Sequence, residues 1–148
     1  MKKLLFLILL FFSFCVFALD VKLNSTLAPG VTNVVASSTN TTTGTALTFD
    51  NDQVPKYGRF WMTANGVAAT TNGTLKAYII TSPDGTTYDT GSLSPIYLSM
   101  STIGTSTNTV SDWFPLYGVK SLKIGRIENT HLGAVSNITF QYEIIISR

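Results

Sequence analysis

Eight carboxylates and a single histidine are the side chains from which this chain would have to build acid–base chemistry. The acids are Asp20, Asp50, Asp52, Asp84, Asp89, Asp112, Glu128 and Glu143. Two well-placed carboxylates suffice for glycoside hydrolysis, one as general acid and one as base or nucleophile. Here Asp50, Asp52, Asp84 and Asp89 fall in turn-like stretches and Glu143 at an outward strand position, which does not suggest a converging pair. Asp50-Asn51-Asp52 offers two oxygens to a cation, but a turn between strands explains it more simply. His131 lies in "ENTHLGAVSN", a polar connection where a lone histidine is ordinarily solvated. As a general base it needs a nucleophile and an orienting carboxylate close in space. Asp112 and Glu128 are the acids to consider for that role, and no Gly-x-Ser-x-Gly elbow accompanies them. One histidine, with the only cysteine at position 15, does not make a usual zinc site. No catalytic, cofactor-binding or metal-binding residue is assigned, and no cofactor is expected.

The stretch "TSPDGTTYDTG" (81–91) looks most like a local motif. Pro83 sets φ for the first central position of a turn, Asp84 suits the next, and Gly85 accepts the left-handed conformation. Asp84 and Asp89 are too sparse for a calcium loop, whose oxygen ligands recur at every second position. Pro83, Asp84 and Gly85 are therefore expected to turn the chain after a strand.

Aromatic residues are better placed for recognition. Trp61 shares a strand with Phe60 and Met62, which occupy its opposite face, and either set of side chains is a candidate for the core. Trp113-Phe114-Pro115-Leu116-Tyr117 brings five bulky residues together after a loop. Such a run either closes the end of a β-sandwich or, if exposed, forms an apolar patch for a protein partner or a sugar ring. Trp113, Phe114 and Tyr117 are the candidate contact residues.

The elements that must position these groups are strands. Short β-branched and aromatic runs are separated by Gly, Asn, Asp and Pro, and no stretch after the N-terminal segment keeps a helical period. In "SNITFQYEIIISR", Ile138, Phe140, Tyr142, Ile144 and Ile146 alternate with Thr139, Gln141 and Glu143, giving a strand with one buried face. "GRFWMTAN" and "TLKAYIITS" read as neighbouring strands joined through "NGVAATTNG", with an Asn-Gly pair at each end. "SLKIGRIEN" is another strand, in which Gly125 predicts a bulge that returns Ile127 to the core side. "VKLNSTL", "TNVVAS", "ALTF" and "SPIYLSM" are further candidates. "STNTTTGT" (38–45) and "STIGTSTNTVSD" (101–112) have little to bury and are expected to be exposed loops. About eight strands at this spacing predict an all-β, antiparallel two-sheet sandwich, jelly-roll-like, in a single domain.

The N-terminus predicts export. Met1-Lys2-Lys3 precedes an apolar run from Leu4 to Ala18, and Val16 and Ala18 carry the small-residue spacing of a cleavage site. The run has 15 residues, short of the roughly 20 of a membrane span. Residues 1–18 are read as a signal peptide, with an uncleaved N-terminal anchor as the alternative, and 19–148 as the domain; with cleavage, membrane contact is expected only through the signal during export. Cleavage removes Cys15, and with it any disulfide or thiol chemistry. It also removes Lys2 and Lys3, leaving eight basic against eight acidic side chains. A near-neutral chain without Lys/Arg clusters argues against nucleic-acid binding. Asn24, Asn40, Asn72 and Asn137 begin Asn-x-Ser/Thr sequons, which matter only in a glycosylating host.

A strand followed by Ser-x-Asp-Gly-Thr-x-Tyr resembles a small β-sandwich family of structural proteins found in phage virions. "VKLNSTLAPG" is similar to the opening of that family, and "FDNDQVPKYGRFWMTANGVAATTNGTLKAYIITSPDGTTYD" to its middle. "WFPLYGVKSLKIGRIENTHLGAVSNITFQYEIIIS" is similar to its closing portion. The resemblance spans most of residues 21–147. It implies a non-enzymatic virion component, a minor capsid, decoration or fibre-associated subunit. Such a subunit works by assembly with itself or other virion proteins. An export signal departs from that family's habit. It keeps a second reading open, a secreted or periplasmic carbohydrate-binding or adhesin-like module whose partners would be glycans.

Overall fold

The computed structural model describes residues 20–66, 73–90, 96–101 and 107–147. The expected signal peptide, 1–18, and residues 67–72 of the Asn-Gly-flanked connection lie outside them. The described residues form ten strands and no helix. In chain order these are β1 (Asp20–Leu27), β2 (Ser38–Asn40), β3 (Leu47–Thr48), β4 (Val54–Gly66) and β5 (Leu75–Ser82). They continue with β6 (Ile96–Met100), β7 (Thr107–Val110), β8 (Phe114–Pro115), β9 (Ser121–Asn129) and β10 (Val135–Ser147).

Their pairing is nested. β1 pairs with β10, β2 and β3 with β9, β4 with β7 and β8, and β5 with β6, all antiparallel. Two further pairings, β10 with β4 and β9 with β5, gather these into two sheets. Sheet A runs β1-β10-β4-β7 with β8 beside β4, and sheet B runs β2-β9-β5-β6 with β3 beside β9. Strands wound in pairs from both ends of the chain into two packed sheets make a jelly roll, as the strand patterning predicted.

The long strands form where alternation is strongest. On β10, Ile138, Phe140, Tyr142, Ile144 and Ile146 are buried, and they meet Phe60, Met62 and Ala64 of β4 on the same inner face. Sheet B answers with Leu75, Ala77 and Ile79 of β5, Leu98 of β6, and Leu122, Ile124 and Ile127 of β9. Phe49, between β3 and β4, and Leu116, after β8, also belong to the core. Truncating a ring such as Phe140 to alanine removes about 3–5 kcal/mol from a core of this kind.

The register confirms the bulge at Gly125. Tyr78 faces Arg126 and Ile79 faces Ile124, so Gly125 is the extra residue and Ile127 pairs with Ala77 on the core side. A second irregularity lies in β10 between Ser136 and Thr139. There Asn137 takes a φ of 50°, and the Ile138 N–H donates to the Thr32 carbonyl instead of to β4.

Two readings need correction. β4 and β5 are consecutive but lie in opposite sheets, so the chain crosses the sandwich between them. Alternation says which face of each strand is buried. It does not say whether two buried faces lie side by side or meet across the core. The polar stretches 38–45 and 101–112 also contain strands, β2 and β7. Short threonine-rich segments pair there with the edges of β9 and β4, where threonine's branched side chain suits an extended backbone.

Candidate functional site

The outer face of β4 carries Tyr57, Arg59 and Trp61, because Phe60 and Met62 turn the other way into the core. Arg59 organises the group. Its Nε and Nη2 both donate to Glu143 Oε2, at 3.0 and 2.7 Å, while Lys22 reaches Oε1 at 2.7 Å. These three residues sit on adjacent strands, since Glu143 of β10 faces Arg59 of β4 directly. Lys22 extends from β1, which pairs with β10 on its other side. The Glu143 carboxyl is held below its usual range, first by its hydrogen bond from Lys22 and then by that from Arg59.

Two indoles flank the same guanidinium. Arg59 Cζ lies 4.8 Å from the ring centre of Trp61 and 5.0 Å from that of Trp113, within the range of cation–π attraction. Trp113 reaches this position because its loop is fastened to β4. The Phe60 N–H donates to Ser111 Oγ at 2.8 Å, and the Ser111 N–H returns a bond of 2.8 Å to the Phe60 carbonyl. Beyond β8, the Leu116 N–H donates to the Lys56 carbonyl at 2.9 Å, and its side chain is fully buried. Tyr117 is thereby set edge-on against Tyr57, with ring centres 5.4 Å apart. The Tyr117 phenol is pushed above its ordinary value, chiefly by a hydrogen bond with Tyr57 and then by burial.

The five bulky residues at 113–117 therefore divide. Leu116 belongs to the core, and Phe114 packs partly against it. Trp113 is 40% exposed and Tyr117 60%. Tyr57, Arg59, Trp61 and Glu143 join them on the surface of sheet A. Sequence reasoning passed over Tyr57 and Arg59 in this role. Their signal was the alternation of "KYGRFWM", in which an arginine and two aromatic rings share the outward parity.

Pro83, Asp84 and Gly85 lie in a tight bend after β5, with Gly85 at a φ of 83°. Asp84 Oδ1 accepts from the backbone N–H groups of Thr86 and Thr87, both at 2.7 Å, and from Ser82 Oγ at 2.8 Å. These donors, the two backbone groups first, hold its carboxyl well below the usual range. The acceptor is occupied by its own loop. Asp50-Asn51-Asp52 bends likewise, with the Gln53 N–H donating to the Asp50 carbonyl at 3.0 Å.

His131 departs from its expected solvated position. It is fully buried in the β9–β10 connection, where its N–H donates to Asn129 Oδ1 and its carbonyl accepts from Ser37 N. The β9–β10 turn is roofed by the segment before β2, which a polar sequence does not announce. Glu128, considered as its partner, instead accepts from the Tyr78 hydroxyl and faces Arg126. Asp20 pairs with Lys56, and Asp89 accepts from Thr81. Among the described residues no three His, Cys, Asp or Glu side chains gather as a metal site would require.

No family model matches the chain, and no curated protein matches it. Among solved structures it is similar to PRD1 vertex protein P5, at 11% identity and a TM-score of 0.41, covering 85% of this chain and 94% of that one. It is also similar to a chain of Cocksfoot mottle virus, at 9% identity and a TM-score of 0.38, covering 88% and 94%. A Turnip yellow mosaic virus chain gives 13%, 0.38, 88% and 80% on the same measures. The jelly-roll assignment rests on the strand pairing itself.

Proposed function

We propose that this chain is a non-enzymatic structural subunit of a virus particle, minor capsid, decoration or fibre-associated, that works by protein–protein assembly. The observation that carries the reading is the cluster of Tyr57, Arg59, Trp113 and Tyr117 on the outside of a jelly roll. Tryptophan, tyrosine and arginine are the residue types that dominate binding energy at protein interfaces. Here Trp113 and Tyr117 are exposed, while hydrogen bonds from β4 hold the segments that carry them. A surface so fixed loses little freedom on association. Jelly rolls serve as capsid subunits, and the virion-protein resemblance over 21–147 points the same way. Near-neutral charge after signal removal lets copies pack without repulsion.

In this reading residues 1–18 direct export and are cleaved, so the subunit joins its particle at or beyond the membrane of the producing cell. The partners are further copies of this chain or another virion protein. Changing Trp113→Ala together with Tyr117→Ala in the producing virus tests the contact. The variant is expected to be secreted and to melt within a few degrees of the parent, yet to be lost from purified particles. Incorporation at the parental level would remove the cluster from the assembly contact.

A further inference from the structure

We infer that the groove on the outer face of β1, β10 and β4, which adjoins the Trp113–Tyr117 contact through Arg59, binds an uncharged sugar. It is an open groove of about 390 Å³, lined chiefly by Asn24, Thr26, Trp61, Gln141 and Glu143. That volume lies within the roughly 300–1,000 Å³ of small-ligand pockets. Register explains the lining. Asn24 faces Glu143, which faces Arg59; two residues along, Thr26 faces Gln141, which faces Trp61. Directly opposed residues of antiparallel strands project to one side. Two successive rungs thus deliver two amides, a hydroxyl and an indole to one floor.

That set matches a sugar on three counts. Asn24, Thr26 and Gln141 are exposed, and amides and hydroxyls both donate and accept, as sugar hydroxyls require. The Trp61 indole offers a broad apolar face for the C–H side of a pyranose ring. Arg59 stacks on it and holds it in place before any ligand arrives, which lowers the ordering cost of binding. Charge completes the case. Glu143 accepts from both Lys22 and Arg59, so these cations are directed at a carboxylate and the groups left to meet a ligand are neutral amides, a hydroxyl and an indole.

The test titrates the purified protein with the methyl glycosides of glucose, galactose, mannose and N-acetylglucosamine, with glucuronic acid as the charged control. The indole N–H resonances of the two tryptophans report binding. At least one neutral glycoside is expected to shift the Trp61 resonance saturably. Affinity should fall at least tenfold in Trp61→Ala and in Gln141→Ala, the second being an exposed side chain whose loss leaves the core untouched. Tyr117→Ala, whose ring rests on Tyr57 and not on Arg59, should bind as the parent does, which separates this site from the assembly contact. No saturable shift with any of the four would overturn the assignment. So would binding by glucuronic acid alone, unchanged affinity in Gln141→Ala, or loss confined to Tyr117→Ala.

Discussion

Glu143 occupies an outward position on β10, yet its side chain is only 8% exposed, because Lys22 and Arg59 close over it. The strand pattern made its direction legible. The two cations that cover it come from strands 121 and 84 residues earlier in the chain, beyond the reach of local periodicity. The carboxyl titrates below its ordinary value of 4.5 in the folded protein. A depressed folded value means that its stabilisation is fully present above pH 4.5 and is lost as pH falls through the lower folded value. Glu143→Gln is therefore expected to lower the melting temperature by several degrees at pH 7, with the difference from the parent shrinking below pH 4.5. Thermal melts across that range check it. A difference that stayed constant with pH would mean that packing, not charge, is responsible. The same substitution should loosen Arg59 between its indoles and quench the two tryptophans differently.

At the scale of the element, the bulge in β9 shows how one glycine sets a register. A Cβ added at Gly125 would lie 2.7 to 2.9 Å from three side-chain atoms of Ile80. Gly125→Ala therefore forces Ile80 or the strand to move, and overpacking of this kind costs about 1–3 kcal/mol. Replacing Ile80 by valine in the Gly125→Ala background should recover part of the loss. A double-mutant cycle by chemical denaturation measures that coupling, and simple additivity would show that the two sites do not meet. The bulge was legible because Ile127 fell one residue out of step with Leu122 and Ile124. The long strands β4, β5, β9 and β10 were legible for the same reason, each burying an alternating face. β2 and β7 were not, since Thr, Ser and Asn at a sheet edge carry no hydrophobic period.

Over the whole molecule, composition and alternation point to a two-sheet sandwich, but the pairing of first strand with last is a long-range property. That pairing is what makes it a jelly roll, and it also assembles the outer face of sheet A. Trp113 and Tyr117 stood out as bulky residues in one run. Their division from Leu116 was hidden until β8 lay against β4 and sent one side chain inward. The turn motif at Pro83-Asp84-Gly85 is bonded within its own loop, whereas the surface proposed as a contact is formed by distant segments. Intact-mass spectrometry on density-gradient-purified extracellular particles, beside the matching soluble fraction, tests the virion reading most directly. The expected result is the chain at a fixed ratio to the other particle proteins, beginning at Leu19. Recovery of the chain only in the soluble fraction would contradict it.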